Sequence, residues 1–302
     1  MAQDLAALNQ QAIAAAKKYM GSFAGGTVML SIAVVAVFVA NLGLYLQGST
    51  PLWATVLVYA VATYLSYTPL HEAAHGNIHG NRQNLKWIND ACGYSCAQII
   101  MVPYSTHTVE HFTHHRFTNQ SDKDPDFIVR RMADGPVEFA KVLFQFLWVQ
   151  VTFLFEGHWQ QAPRREKFIY ATEIGIAITW RLLLLSQLPF LVWMALIVGA
   201  YLLGASFTVY WFAFRPHHPY TESARYKNTN SLIMPRWMRP LEWFWLGQNL
   251  HAIHHAFPRV PFYRYHALFR EIEPVLRAHG APILGIFDGR AVPPEQGSLG
   301  RG

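Results

Sequence analysis

Long uncharged apolar runs alternate along the chain with segments that gather nearly all of its polar residues. The first run covers residues 26–46 and the second residues 50–70, and neither holds a charged side chain. A helix rises about 1.5 Å per residue, so roughly 20 apolar residues cross a hydrocarbon core about 30 Å thick. A third run, 168–214, is too long for one crossing, and Ser186-Gln187-Leu188-Pro189 breaks it into spans at about 168–186 and 190–214. The pattern predicts an all-α integral membrane protein with four transmembrane helices in two tight hairpins. The chain is expected to form one domain, 1–302, with a cytosolic helical cap built from 71–167 and 215–290. Two further apolar runs, 91–103 and 142–155, are short for a crossing and read as in-plane or re-entrant helices. Residues 1–25 read as a short helix ahead of the first span, without the layout of a cleaved signal peptide. The Gly- and Pro-rich tail from Ala291 is expected to be loosely ordered.

Composition agrees. Of 302 residues, 52% are hydrophobic and 14% charged, against about 25% charged in a soluble domain. The net charge of +6 raises the question of nucleic acid, but the position of the charges answers it. Lys and Arg number 2 in 1–25, 10 in 71–167 and 11 in 215–302, and the remaining one is Arg181 inside the third run. The short opposite loops carry none, so the positive-inside rule puts the three basic segments and both termini on the cytosolic side. Charge here reports topology, and no nucleic-acid partner is implied. Glu173 and Arg181, eight residues apart on the third run, are placed to share a polar network, with Glu173 near the cytosolic end. Cys92 and Cys96 lack metal or redox spacing and read as buried thiols.

The 15 histidines are clustered and fall in the predicted cytosolic segments. His71, His75 and His79 lie in H-E-A-A-H-G-N-I-H. His107, His111, His114 and His115 lie in H-T-V-E-H-F-T-H-H. His217 and His218 lie in R-P-H-H-P, and His251, His254 and His255 in H-A-I-H-H. On a helix, positions i, i+3 and i+4 share a face, so each box presents two or three imidazoles to one side. Imidazole suits Fe, Zn, Cu and Ni. One helix face cannot surround an ion, whereas several converging faces can. The main boxes offer eight ligands, enough for two ions, and His217 makes a ninth. His79 and His107 continue the helical spacing and are candidates for the metal shell or for supporting it. The pair of Glu-x-x-His motifs that soluble di-iron bundles use is absent. Haem ligation calls for one histidine on each of two facing spans, which this layout does not offer. A membrane metal- or haem-binding protein without enzymatic activity is the reading from a different class.

These motifs resemble the membrane fatty-acid desaturase and hydroxylase superfamily, whose signature is three histidine boxes on the cytosolic side of a four-helix bundle, over about residues 30–280. The resemblance implies a site of two non-haem Fe ions, O2 as co-substrate, a lipid-soluble substrate and an external electron donor such as ferredoxin. It implies metal ligation by His71, His75, His111, His114, His115, His217, His251, His254 and His255. G-Q-N-L-H-A-I-H-H-A-F-P-R-V-P-F-Y-R-Y, R-P-H-H-P-Y, H-E-A-A-H-G-N-I-H and the Asp122–Asp126 run are similar to β-carotene hydroxylases of the cyanobacterial type. That group often has Asp where Glu72 stands. Hydroxylation of a β-ionone ring is the expected activity, with carotenoid ketolation or acyl-lipid desaturation as alternatives. Asp122, Asp124 and Asp126 are candidates to orient ligand histidines or to form a solvated turn. Asn249 is a candidate to hold a water on the metal or to cap a helix. Trp237, Trp243, Phe244 and Trp245 suit an interfacial belt. Arg259, Arg264 and Arg270 suit an acidic electron donor or lipid headgroups.

Overall fold

A computed structural model describes residues 4–152, 155 and 158–294; the end of the tail and part of the 142–155 run lie outside these residues. The protein is mostly helical. Helix α1 (Leu5–Lys17) begins at Asp4, whose carboxylate accepts hydrogen bonds from the backbone N–H groups of Ala6 (3.0 Å) and Ala7 (3.1 Å). Its small buried face, Ala12, Ala15 and Ala16, packs on helix α10 (Tyr265–Ala278), tying the two ends of the chain together.

Helices α2 (Gly25–Leu46) and α3 (Leu52–Ala74) form the first hairpin, and α7 (Arg164–Gln187) and α8 (Phe190–His217) the second. Among the described residues, three helices are long and apolar enough to cross a membrane: α2, α7 and α8. They carry exposed apolar side chains such as Met29, Val39, Leu183 and Leu191. The second expected span, α3, does not join them. It begins near the expected residue but runs on through the first histidine box, and Thr55, Tyr59, Thr63, Tyr64, Ser66 and Thr68 dilute its hydropathy. All six are buried, so its polar groups face protein, while Trp53, Leu57 and Val61 form an exposed apolar stripe one turn apart.

The two hairpins approach closely at Gly204. A Cβ there would lie 2.4 Å from the Ala60 carbonyl oxygen and 2.7 Å from Thr63 Cβ. Alanine normally stabilises a helix interior over glycine by about 0.5–1 kcal/mol. Gly204→Ala is expected to do the reverse, costing about 1–3 kcal/mol by forcing α3 and α8 apart. Thermal unfolding of the purified variant in detergent checks the sign. Helix α8 also contains π-helical turns at Met194–Gly199 and Val209–Phe214, each of which rotates the following face.

Helix α4 (Lys86–Ile100) covers the first apolar run expected to lie in or re-enter the surface. It descends beside α2 and α3: Ile99 packs with Val34 and Ala62, near the middle of those helices. Its free cysteines face inward, with Cys96 Sγ 3.4 Å from the Ser31 hydroxyl. Helix α5 (Tyr104–Phe117) follows after a short turn, and α6 (Pro136–Thr152) packs over the cap.

Glu173 and Arg181 form no ion pair with each other. Each closes a helix end. The Glu173 carboxylate accepts the N–H groups of Tyr104 (2.7 Å) and Ser105 (3.1 Å) and the Ser105 hydroxyl, so it caps the N-terminus of α5 from another helix. The Arg181 guanidinium donates to the Gln98 carbonyl at 2.7 Å, at the C-terminal end of α4. An anion at a helix start and a cation at a helix end both complement the helix dipole. Two charges on α7 thereby fix the α4–α5 junction, and with it the helix bearing the second box.

A short parallel pair, β1 (Ser231–Ile233) and β2 (Ile283–Gly285), and helix α9 (His251–Ala256) complete the cap. Gly247, at φ +73°, lets the turn before α9 pass against the Phe262 carbonyl, where a Cβ would come within 2.7 Å.

Candidate metal centre

Four elements deliver the histidines to one place. His71 lies in the last turns of α3 and His75 at its C-cap. Helix α5 carries His111, His114 and His115, α8 ends at His217, and α9 carries His251, His254 and His255. Two sets result. The ligand nitrogens of His71, His75, His111, His115 and His254 all lie within 4.8 Å of one another, as do those of His114, His217 and His255. His251 stands beside the second set, its ring centre 4.8 Å from His255 and 5.1 Å from His217. The rings of His115 and His255, 4.3 Å apart, connect the sets.

Within the first set the contacts are Nε2 to Nε2: His71–His254 at 3.0 Å, His75–His111 at 2.9 Å, His111–His115 at 3.0 Å and His115–His254 at 2.8 Å. A neutral imidazole carries one N–H, so this ring of nitrogens cannot satisfy itself through hydrogen bonds alone. Burial, then the neighbouring rings, push His75, His111, His115 and His254 well below the ordinary histidine range, which keeps them neutral and available as donors. A nitrogen-only donor set without carboxylates fits a first-row transition metal and not Mg or Ca.

Partners behind the rings fix their orientation. Asp124 Oδ1 sits 2.8 Å from His114 Nδ1 and also accepts the Asp126 N–H at 2.9 Å, while Asp124 Oδ2 accepts the Asn119 N–H at 2.7 Å. Gln248 Oε1 lies 3.1 Å from His251 Nδ1, and the Tyr265 hydroxyl 3.1 Å from His254 Nδ1. In each case Nδ1 is engaged and Nε2 is left as the inward ligand atom, the arrangement that fixes tautomer and raises ligand basicity. His114 is the exception in charge. Burial lowers its pKa, but Asp126 and Asp124 together outweigh that and raise it to about 9.

The other candidates divide. Asp122 is exposed and hydrogen-bonds nothing among the described residues; it stays in the solvated turn and orients no histidine. Asp126 lies 3.6 Å from His114 Nδ1, close enough for charge but long for a hydrogen bond. His79 falls outside both sets, its Nε2 3.5 Å from the Gln83 amide. His107 also falls outside them. Its ring stacks on His111 at 5.1 Å, its Nε2 has no partner, and burial first, then His114, lower its pKa to about 4. Asn249 donates to the Leu232 carbonyl (3.1 Å) and to Glu242 (2.7 Å), while its Oδ1 has no partner. Trp237 and Trp243 are exposed, but Trp245 packs inside against Phe207 and Trp211. Arg259 donates to the Gly80 carbonyl at 3.3 Å.

Two roles were absent from the sequence reading. Tyr265 and Gln248 carry no motif that marks them as partners of ligand histidines, although Gln248 stands three residues before the third box. Glu72 proves fully buried, accepting hydrogen bonds from Thr27 (3.2 Å), Asn77 (3.1 Å) and the Phe262 N–H (3.2 Å). It joins α2, the first box and the segment after the third.

A narrow cavity of about 50 Å³ adjoins the centre. His107, Glu110, His111, His114, Asp126 and His251 line it, and the rest of its wall is mainly apolar, including Ile100, Phe146, Val209 and Phe212. Its lining suits an apolar group held beside the histidines.

A bundle of apolar helices capped by converging histidine boxes defines a membrane oxidoreductase of the desaturase class, and the sequence agrees. The sequence model of the fatty acid desaturase family matches residues 48–287, and the chain belongs to that family. It is similar to the acyl-lipid (9+3)-(E)-desaturase of Dimorphotheca sinuata, with 25% identity over 268 residues covering 73% of this chain and 67% of that protein.

Proposed function

We propose that this protein is an O2-dependent membrane oxygenase with two non-haem irons, one in each histidine set, and that it hydroxylates the β-ionone ring of a carotenoid. The observation that carries the metal assignment is the convergence of eight histidines into two adjacent nitrogen-donor sets, with His251 beside the second and a largely apolar cavity alongside. The carotenoid assignment rests on the motifs around the first and third boxes. In this reading α3 is a fourth span, its exposed stripe facing lipid, and the histidine cap lies on the cytosolic side with the basic segments. An external donor such as ferredoxin supplies electrons, and Arg264 and Arg270 offer exposed positive charge for its docking.

Iron, when bound, supplies the redox chemistry by which O2, two electrons and two protons convert a C–H bond to an alcohol and water. The chain's own residues do the rest. Asp124, Gln248 and Tyr265 hold His114, His251 and His254 with Nε2 inward. Glu72 keeps the first box and the segment after the third in register. Ile100, Phe146, Val209 and Phe212 exclude water from the cavity and hold the substrate carbon against the histidines, where orientation decides which bond reacts. Asn249 remains a candidate for holding a water through its free Oδ1.

Acyl-lipid desaturation is the second reading, favoured by the similarity to an acyl-lipid desaturase; ring ketolation would need only repeated oxidation of one carbon. Expression in cells that accumulate β-carotene, followed by pigment and fatty-acid chromatography, separates these outcomes. Ring-hydroxylated pigment is expected after extended expression, even where β-carotene is the slower substrate. New unsaturated acyl chains with unchanged pigment would reject the carotenoid assignment, and ketone alone would make the enzyme a ketolase.

A further inference from the structure

The cavity is lined by more polar groups, Tyr67 and His107 among them, than a hydrocarbon substrate requires. His107 belongs to neither ligand set, is 4% exposed, and has an Nε2 without any hydrogen bond. Its ring is fixed by stacking on His111, with an interplanar angle of 16°. Tyr67 stands edge-on to it, ring centres 5.6 Å apart, and is itself held between His71 at 5.4 Å and Phe212 at 5.3 Å. The Tyr67 hydroxyl makes no hydrogen bond among the described residues. Both side chains line the cavity.

We propose that Tyr67 and His107 form a subsite for an oxygen atom of the substrate, so that the chain acts on a lipid-soluble molecule already bearing a hydroxyl or keto oxygen near the carbon to be oxidised. This deepens the reading of the cavity as the substrate site and rests on it. A phenol donates a hydrogen bond, and an imidazole nitrogen donates or accepts according to tautomer, so the pair matches an alcohol or a ketone. A bare hydrocarbon would displace water from both groups and return nothing. Glu110 and Asp126 line the same cavity, and their carboxyl groups disfavour a free acid there. The bound oxygen is therefore that of a neutral alcohol or carbonyl. Sites that hydrogen-bond a substrate oxygen discriminate strongly against the analogue lacking it.

The test uses membranes containing the full chain with an electron-donor system and two competing substrate pairs: β-carotene with its ring-ketone derivative, and octadecenoyl lipid with hydroxyoctadecenoyl lipid. The oxygenated member of one pair is expected to be consumed with at least ~100-fold higher kcat/KM. Tyr67→Phe and His107→Phe are expected to cut that ratio at least ~10-fold, whereas mere structural damage slows both members alike and leaves the ratio intact. Equal consumption of both members in the pair that reacts, or a ratio unmoved by both substitutions, overturns the proposal. A preference seen only in the acyl pair upholds the oxygen subsite while rejecting the carotenoid assignment.

Discussion

His111→Ala is expected to reduce turnover by ~10³-fold or more, the scale seen when one member of a catalytic unit is removed, while the protein remains in the membrane. His111 Nε2 lies 2.9 Å from His75 Nε2 and 3.0 Å from His115 Nε2, so it links two other members of the five-histidine set. Alanine removes a donor and leaves the remaining nitrogens around a gap that the rigid ends of α3 and α5 cannot close. Insertion depends on the apolar runs and the flanking charges, neither of which changes. Elemental analysis of purified protein should show metal lost, and immunoblotting of the membrane fraction should show the chain retained. His79→Ala is the control: it removes a histidine of the same motif that falls outside both sets, and metal content should be unchanged. Full activity in His111→Ala, or equal metal loss in both variants, would refute the assignment of the five-histidine set.

The boxes were legible because a helix repeats its face every three to four residues, so local spacing alone puts each trio of imidazoles on one side. That α3, α5, α8 and α9 converge is a tertiary fact, yet the alternation of apolar runs and basic segments already returned each box to the same side. Sequence was less able to sort neighbours with identical spacing. His75 and His79 each lie four residues from the preceding histidine, but the chain leaves the helix at His75 and Gly76 takes a positive φ, which carries His79 away from the centre. Asp122, Asp124 and Asp126 alternate along an extended-to-turn segment; Asp124 and Asp126 both face His114, but only Asp124, which also caps the turn through Asp126 N–H, comes within hydrogen-bond distance. The partners of Glu173 and Arg181 could not be read at all. Their spacing makes them neighbours on one helix, whereas the groups that need them are unsatisfied backbone atoms at the ends of two other helices. The polar residues of α3 carried a signal in the opposite sense, since they weaken it as a span while marking it as the helix buried among the others.

Asp124→Asn is expected to lower metal affinity in the His114, His217 and His255 set by roughly 10–100-fold, with the five-histidine set untouched. The substitution preserves shape but not hydrogen-bonding capacity. Asp124 faces three donors: His114 Nδ1–H, Asn119 N–H and Asp126 N–H. An asparagine that keeps its oxygen toward His114 and Asp126 aims its NH2 at the Asn119 N–H, donor against donor. Flipped, it presents NH2 to His114 Nδ1 and favours the tautomer with the proton on Nε2, which removes the lone pair a metal needs. Either orientation also removes the negative charge that strengthens His114 as a donor. Asp126→Asn should do much less, because Asp126 stands 3.6 Å from His114 Nδ1 and acts only through charge. Anaerobic titration of the purified protein with cobalt(II), followed by its visible absorption, resolves the two sets. The wild type should take up two equivalents. Asp124→Asn should take up one normally and the other weakly, and Asp126→Asn should stay close to wild type. Equal weakening of both equivalents in Asp124→Asn would mean that Asp124 supports the fold at large. No weakening would mean that α5 alone holds His114 in place.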